Sequence, residues 1–135
     1  MLTRDYHDCN VTSIALIDDT LSISIVTTAG SDRLNLKRLK KLRINDFLEG
    51  NIVNSAKVYS GSICLENESI VRKNLAYLYD IDCEAIKNKP SLGPFIDALF
   101  KKLCVEELAM FELISSYGCF VVALAENINA ESDQC

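Results

Sequence analysis

The stretch RLNLKRLKKLRINDF, Arg33 to Phe47, decides the fold because its apolar residues fit two periods. Leu36, Leu39 and Ile44 can share one face of a helix. Leu34-Asn35-Leu36 and Leu42-Arg43-Ile44 instead alternate apolar with polar, as half-buried strands do. The alternation favours two strands, over residues 33–37 and 40–46.

Working outward, the upstream sequence agrees with that choice. VTSIALI (Val11 to Ile17) and LSISIVT (Leu21 to Thr27) flank the polar gap Asp18-Asp19-Thr20. Leu21, Ile23 and Ile25 alternate with Ser22 and Ser24, and β-branched residues are frequent, so the two runs predict a hairpin. AGSD (29–32) breaks the chain before Arg33. Downstream, LEGN (48–51) reads as a turn, since Gly and Asn tolerate positive φ, and IVNSAKVYS (52–60) as a further strand.

The second half changes period. Ile70, Leu75, Leu78 and Tyr79 predict a helix near 69–79, with Asn67 or Ser69 as its N-cap. Phe95, Ile96, Leu99, Phe100 and Leu103 form one apolar stripe of a helix near 94–104, which Pro94 can open. Asp97 and Lys101 are spaced to pair on its wet face. ELAMFELI and CFVVALAENI flank SSYG as a closing hairpin, and the polar tail 129–135 is expected to fray. Strands, then helices, then strands give an α+β fold. The expectation is a largely antiparallel sheet of about six or seven strands with two helices packed on one face, in a single domain, 1–135.

Composition narrows the function. The 135 residues are 49% hydrophobic and 24% charged, near the average for globular chains. No apolar run approaches the ~20 residues of a membrane helix, and MLTRDYHDCN lacks a signal-peptide core, so a cytoplasmic protein without a membrane partner is expected. Six cysteines (9, 64, 83, 104, 119 and 135) show no C-x-x-C spacing, which argues against structural zinc and for reduced, mostly buried thiols. Six of the fourteen basic residues lie between Arg33 and Arg43, leaving eight against all nineteen acidic groups elsewhere. Phosphate contacts need a positive footprint, so this acidic body disfavours nucleic acid and suits a basic protein partner. The basic strip itself reads as a charged strand edge that resists aggregation, with a small nucleic-acid patch as its rival.

One constellation could carry chemistry. DYHDCN (5–10) places the only histidine, His7, beside Asp8 and near Cys9. On an extended strand the Cα atoms of residues two apart stand roughly 6–7 Å apart, too far for a direct thiol–imidazole bond. The segment therefore reads as a turn at Asp8 leading into the first strand. Nucleotide-loop, dinucleotide and zinc-protease motifs are all missing. No catalytic, cofactor-binding or metal residue is assigned, no cofactor is expected, and an enzyme is not expected. The candidate partner-binding residues are the acidic clusters at element ends: Asp18, Asp19, Glu66, Glu68, Asp80, Asp82 and Glu84. Glu106-Glu107 is a further carboxylate pair.

With the strands laid out, YHDCNVTSIALIDDTLSISI resembles the opening of small bacterial proteins that begin with an aromatic-His-Asp segment and a hairpin. LRINDFLEGNIVNSAKV resembles their middle strand pair and FELISSYGCFVVALAENI their closing hairpin. Several such proteins look like immunity proteins of bacterial toxin–immunity systems. The resemblance implies a domain that binds and blocks a cognate toxin, does no chemistry of its own, and has a binding face that varies between members. An adaptor domain with another protein partner is the alternative, followed by a Cys/His enzyme or metal protein.

Overall fold

Leu21, Ile23 and Ile25 form one inward row, buried, while Ser22 and Ser24 face outward, as a period of two requires. The computed structural model describes Leu2 and residues 4–46, 51–116 and 119–133. Its strands are β1 (Asn10–Ile17), β2 (Thr20–Thr27), β3 (Gly30–Asn45), β4 (Asn51–Tyr59), β5 (Ala109–Ser115) and β6 (Phe120–Asp133). All pairings are antiparallel, and the order β1-β2-β3-β6-β5-β4 closes into a barrel. Four helices lie between β4 and β5: α1 (Ser62–Glu66), α2 (Glu68–Leu78), α3 (Cys83–Asn88) and α4 (Leu92–Cys104). None is long and apolar enough to cross a membrane.

The ambiguous stretch is one strand, bent in the middle. Leu34 and Leu36 point into the barrel. At Arg38 the backbone turns to φ 52°, and the register against β6 slips between Leu39 and Lys41. Such a bulge bends the strand and raises its twist. The gap expected between strands at 33–37 and 40–46 falls on this bulge. Residues 30–36 pair with β2, whereas the ladder beyond Leu36 is with β6, apart from the Leu39 N–H, which donates to the Asp19 carbonyl of the β1–β2 turn at 2.8 Å. Of the basic groups from Lys37 onward, Arg38 and Lys40 pair with Glu126 of β6, Lys41 lies over the Tyr79 ring and Arg43 donates to the Tyr77 carbonyl.

The β5–β6 pair is buried on both faces. Phe111, Leu113, Val121, Ala123 and Ala125 fill the barrel, and Phe111 stands opposite Ala123, large against small. Met110, Val122 and Leu124 point outward and pack with Val71, Leu75, Phe100 and Leu103 of α2 and α4. This second core is why the chain inserts its helices between β4 and β5.

Several expectations are corrected. Four helices replace two, because the polar links after the strand at 51–59 and after Leu78 themselves coil into α1 and α3. The antiparallel sheet has six strands and closes into a barrel. Residues 129–133 are not frayed: they complete β6, paired with β3 from Asn35 to Ser31. Asp97 pairs with Arg72 of α2 at 2.6 Å rather than with Lys101. Arg72 also holds Glu68 at 2.8 Å and stacks on Phe100, a fork that a lysine cannot match. Asn67 occupies the N-cap position of α2, but its side chain donates back to the Ile63 carbonyl. The LEGN turn, except Asn51, and Tyr117-Gly118 of SSYG lie outside the described residues.

Candidate functional site

DYHDCN is the seam that closes the barrel. Tyr6 to Cys9 form a tight turn, with Cys9 N–H donating to the Tyr6 carbonyl at 3.0 Å and Asp8 at φ 65°. Aspartate tolerates that conformation better than most residues. The Asp8 N–H donates to the Val53 carbonyl and the Val53 N–H to the Cys9 carbonyl, both at 2.8 Å, so the segment extends the short β1–β4 pairing. His7 is half-exposed, with Nδ1 3.1 Å from Asp8 Oδ2. Burial, offset in part by Arg4, raises the Cys9 thiol above its ordinary value, which works against a thiolate nucleophile. No group of three or more His, Cys, Asp or Glu side chains suited to a metal occurs among the described residues. Of the other cysteines described, Cys64 and Cys119 are buried, Cys104 is half-buried and Cys83 is exposed.

The acidic candidates fall into separate groups. Asp18 and Asp19 make the two-residue tip of the β1–β2 hairpin, with Asp18 at φ 55°. Glu66 and Glu68 flank the start of α2, while Asp80, Asp82 and Glu84 follow its end, roughly 15 Å away at 1.5 Å per residue. Some are already engaged. Glu68 is held by Arg72, and Asp82 caps α3 by accepting from Ala85 N–H at 2.7 Å. Asp80, at φ 53°, lies 3.9 Å from Arg43 and is otherwise in water. Among the described residues Asp18, Asp19, Glu66 and Glu84 have no ion pair. Leu16 and Ile17, 57% and 68% exposed, adjoin the hairpin tip, as Leu65, 64% exposed, adjoins Glu66.

Two buried carboxylates escaped the sequence reading. Asp32, 4% exposed, accepts from the Tyr6 hydroxyl at 2.8 Å, Arg4 Nε at 3.0 Å and the Ser132 hydroxyl at 2.9 Å. It ties the amino-terminal segment to the start of β3 and the end of β6. Burial, and then the bond to Asp32, push the Tyr6 hydroxyl well above its ordinary pKa.

Glu112, 6% exposed, lies at the base of a cleft of about 480 Å³ between α2 and the outer faces of β4, β5 and β6. Ile70, Lys73, Asn74 and Tyr77 face it from α2 at the i, i+3, i+4, i+7 spacing of one helix face. Ser55, Lys57 and Tyr59 face it from alternate positions of β4, and Lys57 stands directly opposite Glu112. Ile114 and Phe120 complete the apolar wall. Asn74 Nδ2 donates to Glu112 Oε2 at 2.7 Å. Tyr59 is raised above its ordinary pKa by burial first, then by the charge of Glu112 and a hydrogen bond to it. The Tyr77 hydroxyl is out of reach of water and has no hydrogen-bond partner among the described residues, while its ring packs on Phe120 at 5.0 Å and beneath Arg43 at 4.1 Å. A signal was present: Glu112 is the one charged residue in the otherwise apolar run AMFELI.

A scan of protein-family models finds none that matches this chain, and neither a curated protein nor a solved structure matches it.

Proposed function

We propose that the protein is a non-catalytic protein-binding domain, an immunity protein that binds and neutralises a cognate, basic bacterial toxin domain in the cytoplasm. The observation that carries this reading is the β1–β2 tip, where Leu16 and Ile17 stand exposed next to Asp18 and Asp19, which have no ion pair among the described residues. Energetic centres of protein interfaces are apolar anchors ringed by polar groups. Leu16 and Ile17 point to opposite faces at the end of the hairpin, so each offers an exposed apolar side chain beside the two carboxylates. The acidic balance outside β3 supplies long-range attraction to a basic partner, acting mainly on the encounter rate. Glu66, Glu68, Asp80, Asp82 and Glu84 add to that field.

The test pairs the protein with a toxin domain encoded beside its own gene. Co-expression should rescue growth, and the purified proteins should form a complex. Leu16→Ser with Ile17→Ser should weaken the complex by about 2–4 kcal/mol while leaving thermal unfolding unchanged. A double variant that binds and rescues like the parent removes the tip as the anchor. A neighbouring toxin domain that neither binds nor is neutralised removes the immunity reading itself.

A further inference from the structure

We propose that the cleft at Glu112 is a binding site for a small zwitterion with an apolar body, such as an apolar α-amino acid. The ligand's primary ammonium would lie on Glu112, its carboxylate at Lys57 and Lys73, and its hydrocarbon against Ile70, Ile114 and Phe120. The reading is independent of the hairpin tip and goes beyond protein binding.

The charges argue for both halves of the ligand. Glu112 has no ion pair within 4.0 Å among the described residues, and neither has Lys57 or Lys73. One negative group therefore sits buried at the base while two positive groups stand exposed at the rim. A plain cation would meet the two lysines, and a plain anion would meet Glu112. A molecule carrying both charges satisfies each end.

Hydrogen bonding gives the same orientation. A carboxylate offers about four lone-pair sites, and Asn74 occupies one of them. An ammonium brings three donors and no acceptor. Asn74 also fixes the carboxylate, since it is itself buried, so the site is formed before any ligand enters. The Tyr77 hydroxyl, on a residue of the same wall, is a further unused polar atom. The cleft volume of about 480 Å³ lies within the roughly 300–1,000 Å³ of small-molecule sites, which typically join apolar walls to a few convergent polar groups.

Titration of the full chain with L-leucine, followed by calorimetry and amide NMR, tests this. Two probes each lack one charge: isoamylamine has no carboxylate and 4-methylpentanoate no ammonium. Leucine should bind saturably and shift the amide signals of Asn74, Tyr77 and Glu112. Each single-charge probe should bind roughly ten- to a hundredfold more weakly, the worth of one hydrogen-bonded charge. Glu112→Gln should abolish the preference for leucine over 4-methylpentanoate. Lys57→Met with Lys73→Met, both at exposed positions, should abolish its preference over isoamylamine and keeps the test open if Glu112→Gln fails to fold. Leu16→Ser with Ile17→Ser should leave leucine binding unchanged. Absence of saturable leucine binding at tens of millimolar, equal binding of all three probes, or unchanged selectivity in the lysine variant would each overturn the proposal.

Discussion

Asp32→Ala should open the end of the barrel that Tyr6 closes, at a cost that can be worked from the structure. Tyr6 is 2% exposed, and its hydroxyl has Asp32 as its hydrogen-bond acceptor. Leaving that hydroxyl buried and unmatched costs about 1–3 kcal/mol. The Arg4 contact adds less, about 0.5–1 kcal/mol, because Arg4 is 35% exposed and water can replace the carboxylate. Ser132 is exposed and can turn to solvent. Asp32→Ala is thus expected to cost about 2–4 kcal/mol, a large share of the roughly 5–15 kcal/mol that stabilises a typical domain. Asp32→Asn keeps an acceptor for Tyr6 and should cost about half as much, and Tyr6→Phe about 1 kcal/mol. Urea unfolding measures all three, with the slope unchanged and only the midpoint moved. The double variant Tyr6→Phe/Asp32→Ala should destabilise by less than the sum of its parts, because both remove one interaction. An Asp32→Ala midpoint within about 0.5 kcal/mol of the parent, or strict additivity, would refute the view that this network holds the barrel closed.

Other outcomes follow from the same physics. Gly61 sits at φ 72°, where an added Cβ would lie 2.7 Å from Glu106 Oε1, so Gly61→Ala should lower stability by about 1–2 kcal/mol; Glu106→Ala should not restore it, because the strain is in the backbone. Burial pushes the Cys64 thiol up to about 11, so with Ellman's reagent at pH 8 Cys83 should react at once while Cys64 and Cys119 react only on unfolding. Folded-state values are raised for Cys9, Cys64, Cys119, Tyr6, Tyr59 and Tyr79, so the unfolded chain loses its protons first; stability should be full below about pH 9 and fall as pH rises from there towards 11, as read by urea midpoints across that range. Neutralising Asp18 and Asp19 to Asn should slow association with the proposed toxin, and added salt should shrink the difference between variant and parent in stopped-flow traces.

Local periodicity carried the parts of the fold that depend on near neighbours. The β1–β2 hairpin, α2, α4 and the β5–β6 pair follow from alternation or a helical stripe, and each lies close to its expected bounds except the far end of β6. Even the indecision over Arg33 to Phe47 had a physical source. The strand changes phase at the Arg38 bulge, so neither a single alternation nor a single helical stripe fits its whole length. Closure was not legible, because it rests on pairing between residues distant in sequence: Val53 with Cys9, and Ser31 to Asn35 with the chain's last strand. The polar look of residues 129–133 suggested a free tail, yet backbone pairing needs no apolar side chain.

The two buried carboxylates mark the same boundary. In the sequence Asp32 falls in the break AGSD and Glu112 inside the closing hairpin, and either residue type is normally found in water. What makes them different is set by their partners, Tyr6 at 26 positions' remove and Asn74 at 38. The two then differ in kind. Asp32 spends both oxygens on Tyr6, Arg4 and Ser132, so its charge is matched within the chain. Glu112 is buried to nearly the same degree, but its donor Asn74 is neutral, and no cation lies within 4.0 Å of it among the described residues, Lys57 on the facing strand included. A buried charge left without its counter-charge is costly to hold. A closed network of the first kind belongs to stability, whereas an open one at the base of a cleft is where a ligand's charge can be worth most.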